Sequence, residues 1–223
     1  TGDELASIGS TLKQGQVFDS NRYTILGMLS RLGVEIEDLG AIPDDPALLE
    51  KTLKQAVENS DVVITSGGVS VGEADFMKQL LQKLGQVLFW KIAMKPGRPL
   101  AYGKIGNAHY FGLPGNPVAV MVTFYQFVRN ALLSMSGATD VAPLVMQAKT
   151  VEAIRKRPGR TEFQRGVLSI DATGTRTVRI TGAQGSGVLR SMSEADCFIV
   201  LEHDQDQIKA GDTVGVVLFE GLV

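Results

Sequence analysis

Apolar positions along the chain change period several times, and the changes mark out the elements. Tyr23, Ile25, Leu26, Met28, Leu29 and Leu32 make one apolar face after the N-cap candidates Asp19, Ser20 and Asn21, with Gly33 as the stop. Residues 34–39 (VEIEDL) alternate like a strand. In Pro43-Asp44-Asp45-Pro46, Asp45 is placed to cap a helix whose first residue is Pro46, and Leu49, Leu53, Ala56 and Val57 give that helix one buried stripe. Residues 61–65 (DVVIT) read as a short buried strand, 76–84 as a helix, 86–92 as a strand, and 99–104 and 108–113 as two more. Asn116 and Pro117 then open a long apolar helix reaching Met135. Helix and strand alternate throughout, which predicts an α/β unit whose mostly parallel sheet is flanked by helices.

After Gly137 the pattern changes. The stretch 137–143 (GATDVAP) reads as a linker, and short strands recur at about 145–154, 161–170, 176–181, 196–202 and 213–218 between Gly-, Asp- and Pro-containing turns. The expected organisation is an α/β domain over 1–142 and a small all-β barrel or sandwich over 143–223.

The chemistry clusters at strand exits, where open α/β sheets bind their ligands. Ser66-Gly67-Gly68 breaks the strand 61–65, and Ser70 and Gly72 continue a loop nearly free of bulky side chains up to Glu73 and Asp75. A strand, a glycine-rich turn and a helix leave backbone N–H groups free for an anion. Carboxylates beside such a loop point to a cation bridging to phosphate or oxyanion. The plainer alternative is a tight turn with Asp75 as a helix cap. Further on, 93–99 (AMKPGRP) holds Lys95 and Arg98 between prolines that restrict the backbone.

Composition removes several alternatives. The 223 residues carry a net charge of −2, with 44% hydrophobic and 21% charged residues, which suits a globular protein and disfavours a general nucleic-acid binder. A single cysteine, Cys197, sits in an apolar run and allows no internal disulfide, and His109 and His203 are too few and too far apart for a zinc site. No apolar run reaches the expected length of a membrane span and no signal peptide is visible, so the expected compartment is the cytoplasm. The abrupt start at Thr1, without Met, suggests a piece of a longer protein.

Taken together, TGDEL (1–5), the D-x-N-R run from Asp19 to Arg22, DDP (44–46), SGGVSVGEAD (66–75), KPGRP (95–99), LPGNP (113–117), FQRGVL (163–168) and GAQGS (182–186) resemble, in order, the molybdopterin molybdenumtransferases of the MoeA and gephyrin E-domain family. The resemblance implies a molybdopterin-binding, MogA-like α/β domain followed by a C-terminal β-barrel. The reaction it implies is insertion of molybdate, a substrate, into adenylylated molybdopterin with release of AMP and a requirement for Mg²⁺. It further implies a homodimer, no nucleic-acid or membrane partner, and N-terminal domains outside this chain, without which the chain is expected to bind substrate rather than turn it over.

By position, the resemblance assigns Asp44 and Asp75 as functional and metal-binding carboxylates, and Lys91 and Lys95 as functional lysines. Glu4, Ser66, Gly67, Gly68, Ser70, Gly72, Pro114, Asn116, Pro117 and Ser186 fall to the substrate, and Lys95, Arg98, Pro99, Arg165 and Ser191 to molybdate. Where the family commonly has Lys, this chain has Arg98, a planar fork in place of a point charge. Two rival readings stand beside this one. One is a related molybdopterin adenylyltransferase or nucleotide-acting enzyme, disfavoured by the β-rich tail that bears Arg165. The other is a gephyrin-like scaffold.

Overall fold

The fold is described from a computed structural model covering residues 1–68 and 74–219, with the backbone alone at 74–76. In chain order the first elements are β1 (Leu5–Ala6), β2 (Val17–Phe18), α1 (Ser20–Ser30), α2 (Pro46–Asn59), β3 (Val62–Ser66) and α3 (Ala74–Leu84). Next come β4 (Gln86–Lys91), β5 (Met94–Lys95), β6 (Pro99–Ile105), β7 (Ala108–Leu113), α4 (Pro117–Thr123), a π-helical turn (Phe124–Val128) and α5 (Arg129–Met135). The last are β8 (Met146–Thr150), β9 (Thr161–Ile170), β10 (Arg176–Ile180), α6 (Arg190–Ser193), β11 (Cys197–Leu201) and β12 (Thr213–Leu218).

By contacts the chain divides into one unit of Thr1–Ile92 with Pro99–Phe124, and a second of Ala93–Arg98 with Tyr125–Val223. This division does not fall at the polar linker expected at 142/143. Polarity marks where the chain is solvated, whereas the units are decided by pairing: β5 joins the second unit because Met94 and Lys95 pair in parallel with Thr161 and Glu162 of β9.

The first unit is α/β, as its periodicity predicts, but its sheet corrects one expectation. The described strands run β3-β7-β6-β4, and only β3–β7 is parallel. β6 and β7 are joined by the two-residue turn Gly106-Asn107, which can only connect antiparallel neighbours. β3 accordingly lies at an edge of this sheet, with Val63 its one buried residue. The alternating stretch 34–39 has no strand partner among the described residues. Its Asp38 instead receives both bonds of the Arg22 Nε–H at 2.9 Å, and the guanidinium holds that carboxyl below its usual range.

Helix starts follow the sequence closely. Asp19 Oδ1 accepts from the Arg22 amide, and Asp45 Oδ1 accepts from the Leu48 amide at 2.7 Å with Pro46 as the first helical residue. One face of α2 and α3 (Leu53, Ala56, Met77, Leu80, Leu81) packs on Val63, Ala101, Ile105, Ala108 and Tyr110 of the sheet. Burying each of the larger side chains contributes about 1.5–3 kcal/mol.

Tyr110 lies in that core, 1% exposed, with its hydroxyl 2.6 Å from Thr65 Oγ1. Burial pushes its phenol up to about 12, while the bond to Thr65 pulls the other way. A group that holds its proton more tightly when folded stabilises the fold in full below its unfolded value of about 10 and loses that contribution as pH rises towards 12. Melts followed by circular dichroism from pH 9 to 12 should therefore show a steeper alkaline loss for the unaltered chain than for Tyr110→Phe. At pH 8 the variant should be about 1 kcal/mol less stable through the lost hydrogen bond.

The segment Pro117–Met135 is 19 residues long and apolar enough to span a bilayer, contrary to the expectation that no run reaches that length. Half of it is buried within the protein, as a core helix requires. Thr123 Oγ1 donates to the carbonyls of Ala119 and Val120 just before the π turn, a competition for backbone acceptors that accompanies a distorted helix.

The second unit closes as a five-stranded barrel, β8-β12-β11-β9-β10, in which β10 returns to pair with β8. The expected strands fall within a few residues of those observed, and 161–170 and 213–218 coincide with β9 and β12. Cys197, Ile199 and Leu201 of β11 point into the core with Val178, Val214 and Val216. Between them Phe198 points to the opposite face of the strand, where it is fully buried, edge-on to Phe163 and Phe219. Burial, with Asp196 alongside, raises the Cys197 thiol far above its ordinary value, so the lone cysteine is an inert core residue. Lys156 is buried too, with its ammonium on the carbonyls of Arg157, His203 and Gln205 at 3.0–3.2 Å.

Candidate functional site

In the first unit the exits of β3 and β7 are neighbours, because Ser66 pairs with Leu113. The loops that follow them stay together. The Gly67 amide donates to Leu113 O at 3.2 Å, and a Cβ placed on Gly115 would lie 3.9 Å from Gly67 Cα. Gly67 and Gly68 have φ of +85° and +67°, and the Thr1 carbonyl oxygen occupies the space where a Gly67 side chain would begin, 2.6 Å away. The Thr1 amino group donates to Ser66 O at 2.8 Å, which brings the 1–5 segment to the same place. Substrate candidates Gly67, Gly68, Pro114, Asn116 and Pro117 are thus brought together. Asn116 occupies the N-cap position of α4 but makes no capping bond, so its exposed amide remains free of that duty.

The Ser66 hydroxyl donates to Pro114 O at 3.2 Å and accepts from Asn21 Nδ2 at 3.0 Å, so it ties the two loops together. Ser70 and Gly72 lie outside the described residues, as does the side chain of Asp75, whose backbone is the second residue of α3.

The two aspartates of DDP separate into distinct tasks. Asp45 is spent on its cap. Asp44 is exposed, and its amide donates to Asp3 Oδ1 at 3.2 Å, which sets the two acidic loops side by side. Glu4, also exposed, folds its carboxylate back over Gly2. Among the described residues no three His, Cys, Asp or Glu side chains form a ready-made metal cluster. Lys91 ends β4, exposed, opposite Pro99 of β6, and has no ion pair among the described residues.

In the second unit Arg165 is 1% exposed and has no carboxylate partner among the described residues. Its Nε donates to Ser191 Oγ at 3.0 Å and its Nη2 to Gly185 O at 3.3 Å, and Nη1 has no hydrogen-bond acceptor among the described residues. Ser191, 3% exposed, donates its own hydroxyl hydrogen bond to Val188 O at 2.7 Å. A guanidinium among neutral groups is short of negative charge, and burial lowers it to about 10. Two of the molybdate candidates, Arg165 and Ser191, are thus in contact, while Ser186 is half-buried in the same loop without a side-chain hydrogen bond among the described residues.

Lys95 is engaged differently. Its Nζ lies 3.3 Å from Glu162 Oε2, with the carboxylate side chain 4% exposed and the lysine 50%. Gln164 Nε2 donates to the same oxygen at 3.1 Å. Glu162 and Arg165 are three apart on β9, so strand alternation sends them to opposite faces, and no hydrogen bond among the described residues joins Lys95 to the Arg165–Ser191 pair. Arg98 is exposed and without an ion pair among the described residues. The proline-bounded loop thus presents one free cation and one already held by acid.

Sequence reasoning missed three residues. Glu162 anchors Lys95. Gln184 clamps the Arg165 backbone, accepting from its amide at 2.8 Å and donating to its carbonyl at 3.1 Å. Asn21 ties the β3 and β7 exits, its Nδ2 donating to Ser66 Oγ and to Gly115 O. The signal for the last two lay in place: an amide inside a glycine turn, and one just after a cap, where neither packing nor periodicity asks for it.

With this geometry in view, the chain was compared with known proteins. The family described as "Probable molybdopterin binding domain" matches residues 1–134, and "MoeA C-terminal region (domain IV)" matches 147–219. A molybdopterin molybdenumtransferase of Haemophilus influenzae is 46% identical over all of this chain and 55% of its own length, and one of Staphylococcus aureus is 34% identical over 99% of this chain and 52% of its own. Among solved structures, a molybdopterin biosynthesis MoeA protein from Pyrococcus horikoshii superposes with a TM-score of 0.82 at 29% identity, covering 98% of this chain and 52% of that one. The chain spans about half the length of the curated relatives it matches. It belongs to the molybdopterin-binding domain family, with a MoeA C-terminal region following that domain.

Proposed function

We propose that the chain acts in molybdenum cofactor biosynthesis, as the part of a molybdopterin molybdenumtransferase that binds adenylylated molybdopterin and molybdate and contributes to molybdenum insertion with release of AMP. The observation that carries this reading is Arg165: a buried guanidinium with neutral partners and an unspent Nη1 is suited to a small dianion such as molybdate. The glycine loops of the first unit, with left-handed Gly67 and Gly68, suit the anionic phosphate of the other substrate.

Asp44 and Asp75 would hold Mg²⁺. The donor chemistry fits, since Mg²⁺ takes hard oxygens from one or two carboxylates and completes its shell with water and phosphate rather than with a full protein cage. When bound, the ion polarises the phosphoanhydride. The chain's own part is to fix positions and neutralise charge: Arg165, with Lys95 and Arg98, for the oxyanion, and backbone N–H groups for the phosphate. The same reading includes a homodimer in the cytoplasm.

The test is Asp75→Asn and Asp44→Asn in the full-length protein. Each should abolish cofactor synthesis in a strain lacking the enzyme, with expression and folding unchanged. Full synthesis by both variants would refute the enzymatic reading and favour a scaffold.

A further inference from the structure

Asn21 belongs to the D-x-N-R run, and nothing in the proposed chemistry uses it. It is the second residue of α1, whose start is pinned by the Asp19 cap on the Arg22 amide and by Thr24 Oγ1 donating to Ser20 O at 2.9 Å. From that fixed post its amide reaches two loops at once, donating to Ser66 Oγ at 3.0 Å and to Gly115 O at 2.7 Å. The orientation of the amide is forced. Gly115 O can only accept, so Nδ2 must face it, and the Ser66 hydroxyl, committed to Pro114 O, accepts the other N–H.

Asn21 Oδ1 is closed off from solvent and has no hydrogen-bond donor among the described residues. The polar contacts that the amide makes are those of its two N–H groups. They point to Ser66, at the exit of β3, and to Gly115, after the exit of β7, directly beyond the pair Ser66–Leu113.

We propose that Asn21 is a positioning residue that sets the spacing of loops 66–68 and 114–117, so that their backbone N–H groups are arranged for a phosphate-bearing ligand before it arrives. The proposal rests on the reading of those loops as the phosphate site. Asn21 acts through Ser66 and Gly115 and does not touch the reacting atoms.

The experiment is titration calorimetry of AMP into this chain, with Asn21→Ala, Asn21→Asp, Ser66→Ala and the double variant Asn21→Ala/Ser66→Ala. Circular dichroism reports folding, and amide hydrogen exchange at Gly67 reports the loop without ligand. Asn21→Ala should bind AMP at least about tenfold more weakly, and the double variant should lose less than the sum of the two single losses, because the Asn21–Ser66 bond is common to both. Asn21→Asp should be as weak at pH 7.5. At pH 4.0, measured against the unaltered chain at the same pH, it should recover in part, since about half of an ordinary aspartic carboxyl is protonated there and regains one O–H donor for Gly115 O. Asn21→Ala should not recover. A purely structural role would give no such recovery.

Exchange at Gly67 should quicken in both Asn21 variants. Unchanged AMP affinity in both, additive losses in the double variant, or unchanged exchange at Gly67 would each overturn the proposal. Should Asn21→Ala fail to fold, the pH profile of Asn21→Asp decides. If the unaltered chain binds no AMP at millimolar concentration, the phosphate reading falls, and the exchange rates alone then decide whether Asn21 holds the loops.

Discussion

Arg165→Met is expected to weaken molybdate binding about a hundredfold or more, since truncating a desolvated charge that holds an ion costs roughly 2–5 kcal/mol. The same change should leave the melting temperature of the ligand-free barrel within about 3 °C of the unaltered value. The two halves of this expectation share one cause. Arg165 is 1% exposed and sits on Ser191 Oγ and Gly185 O, with no carboxylate among the described residues. Without an anion, burial works against its charge, and replacing a buried ionic group by an apolar one of similar size is often neutral. With an anion the charge becomes an asset. Arg165→Lys should fall between, about tenfold weaker, because a point charge cannot reproduce the fork that spans Ser191 and the ligand. Calorimetric titration with molybdate and thermal melts with and without it check both. The unaltered chain should melt higher with molybdate and the Met variant should not. A Met variant that melts far lower yet keeps its affinity would assign Arg165 to structure alone.

Gly67→Ala is the second large effect. At φ +85° an L side chain costs about 1–2 kcal/mol, and the new Cβ would lie 2.6 Å from the Thr1 carbonyl oxygen. Backbone cannot yield as a side-chain end does, so overpacking adds about 1–3 kcal/mol. Urea unfolding of the first unit should show a loss of about 3 kcal/mol in all, with AMP affinity lost as the 66–68 loop is displaced. Gly33→Ala serves as the control. Gly33 has φ +67° but nothing within 4 Å of a Cβ, so it should lose only the conformational share and keep AMP affinity. Equal losses in the two variants would mean that close approach to Thr1 matters little.

Local signals were read well wherever the cause is local. Asp45 and Pro46 start α2 because a carboxylate can accept the Leu48 amide three residues on. β9 and β12 coincide with the expected ranges because each is a short run bounded by Gly-, Asp- or Pro-containing turns. The motif order sufficed to identify the family, since each motif supplies backbone conformation or charge where a ligand needs it. Pairing was another matter. The strand-like 34–39 was claimed by the Arg22–Asp38 ion pair, and the expected parallel sheet acquired two antiparallel pairings from a two-residue turn and a short connection.

The candidate site divides along the same line. The motif resemblance nominated Arg165, Ser191 and Asp44 as candidates, while the glycine loops were legible directly, because left-handed backbone is written in the turn residues themselves. Which groups are spent and which are free depended on neighbours distant in the chain. Glu162 holds Lys95 across 67 positions, Asn21 takes up Ser66 across 45, and the hydrogen-bond partners of Arg165 among the described residues are neutral. Such partnerships come from strand register and helix placement, which bring together groups that no window of sequence contains, so tertiary structure alone decided them.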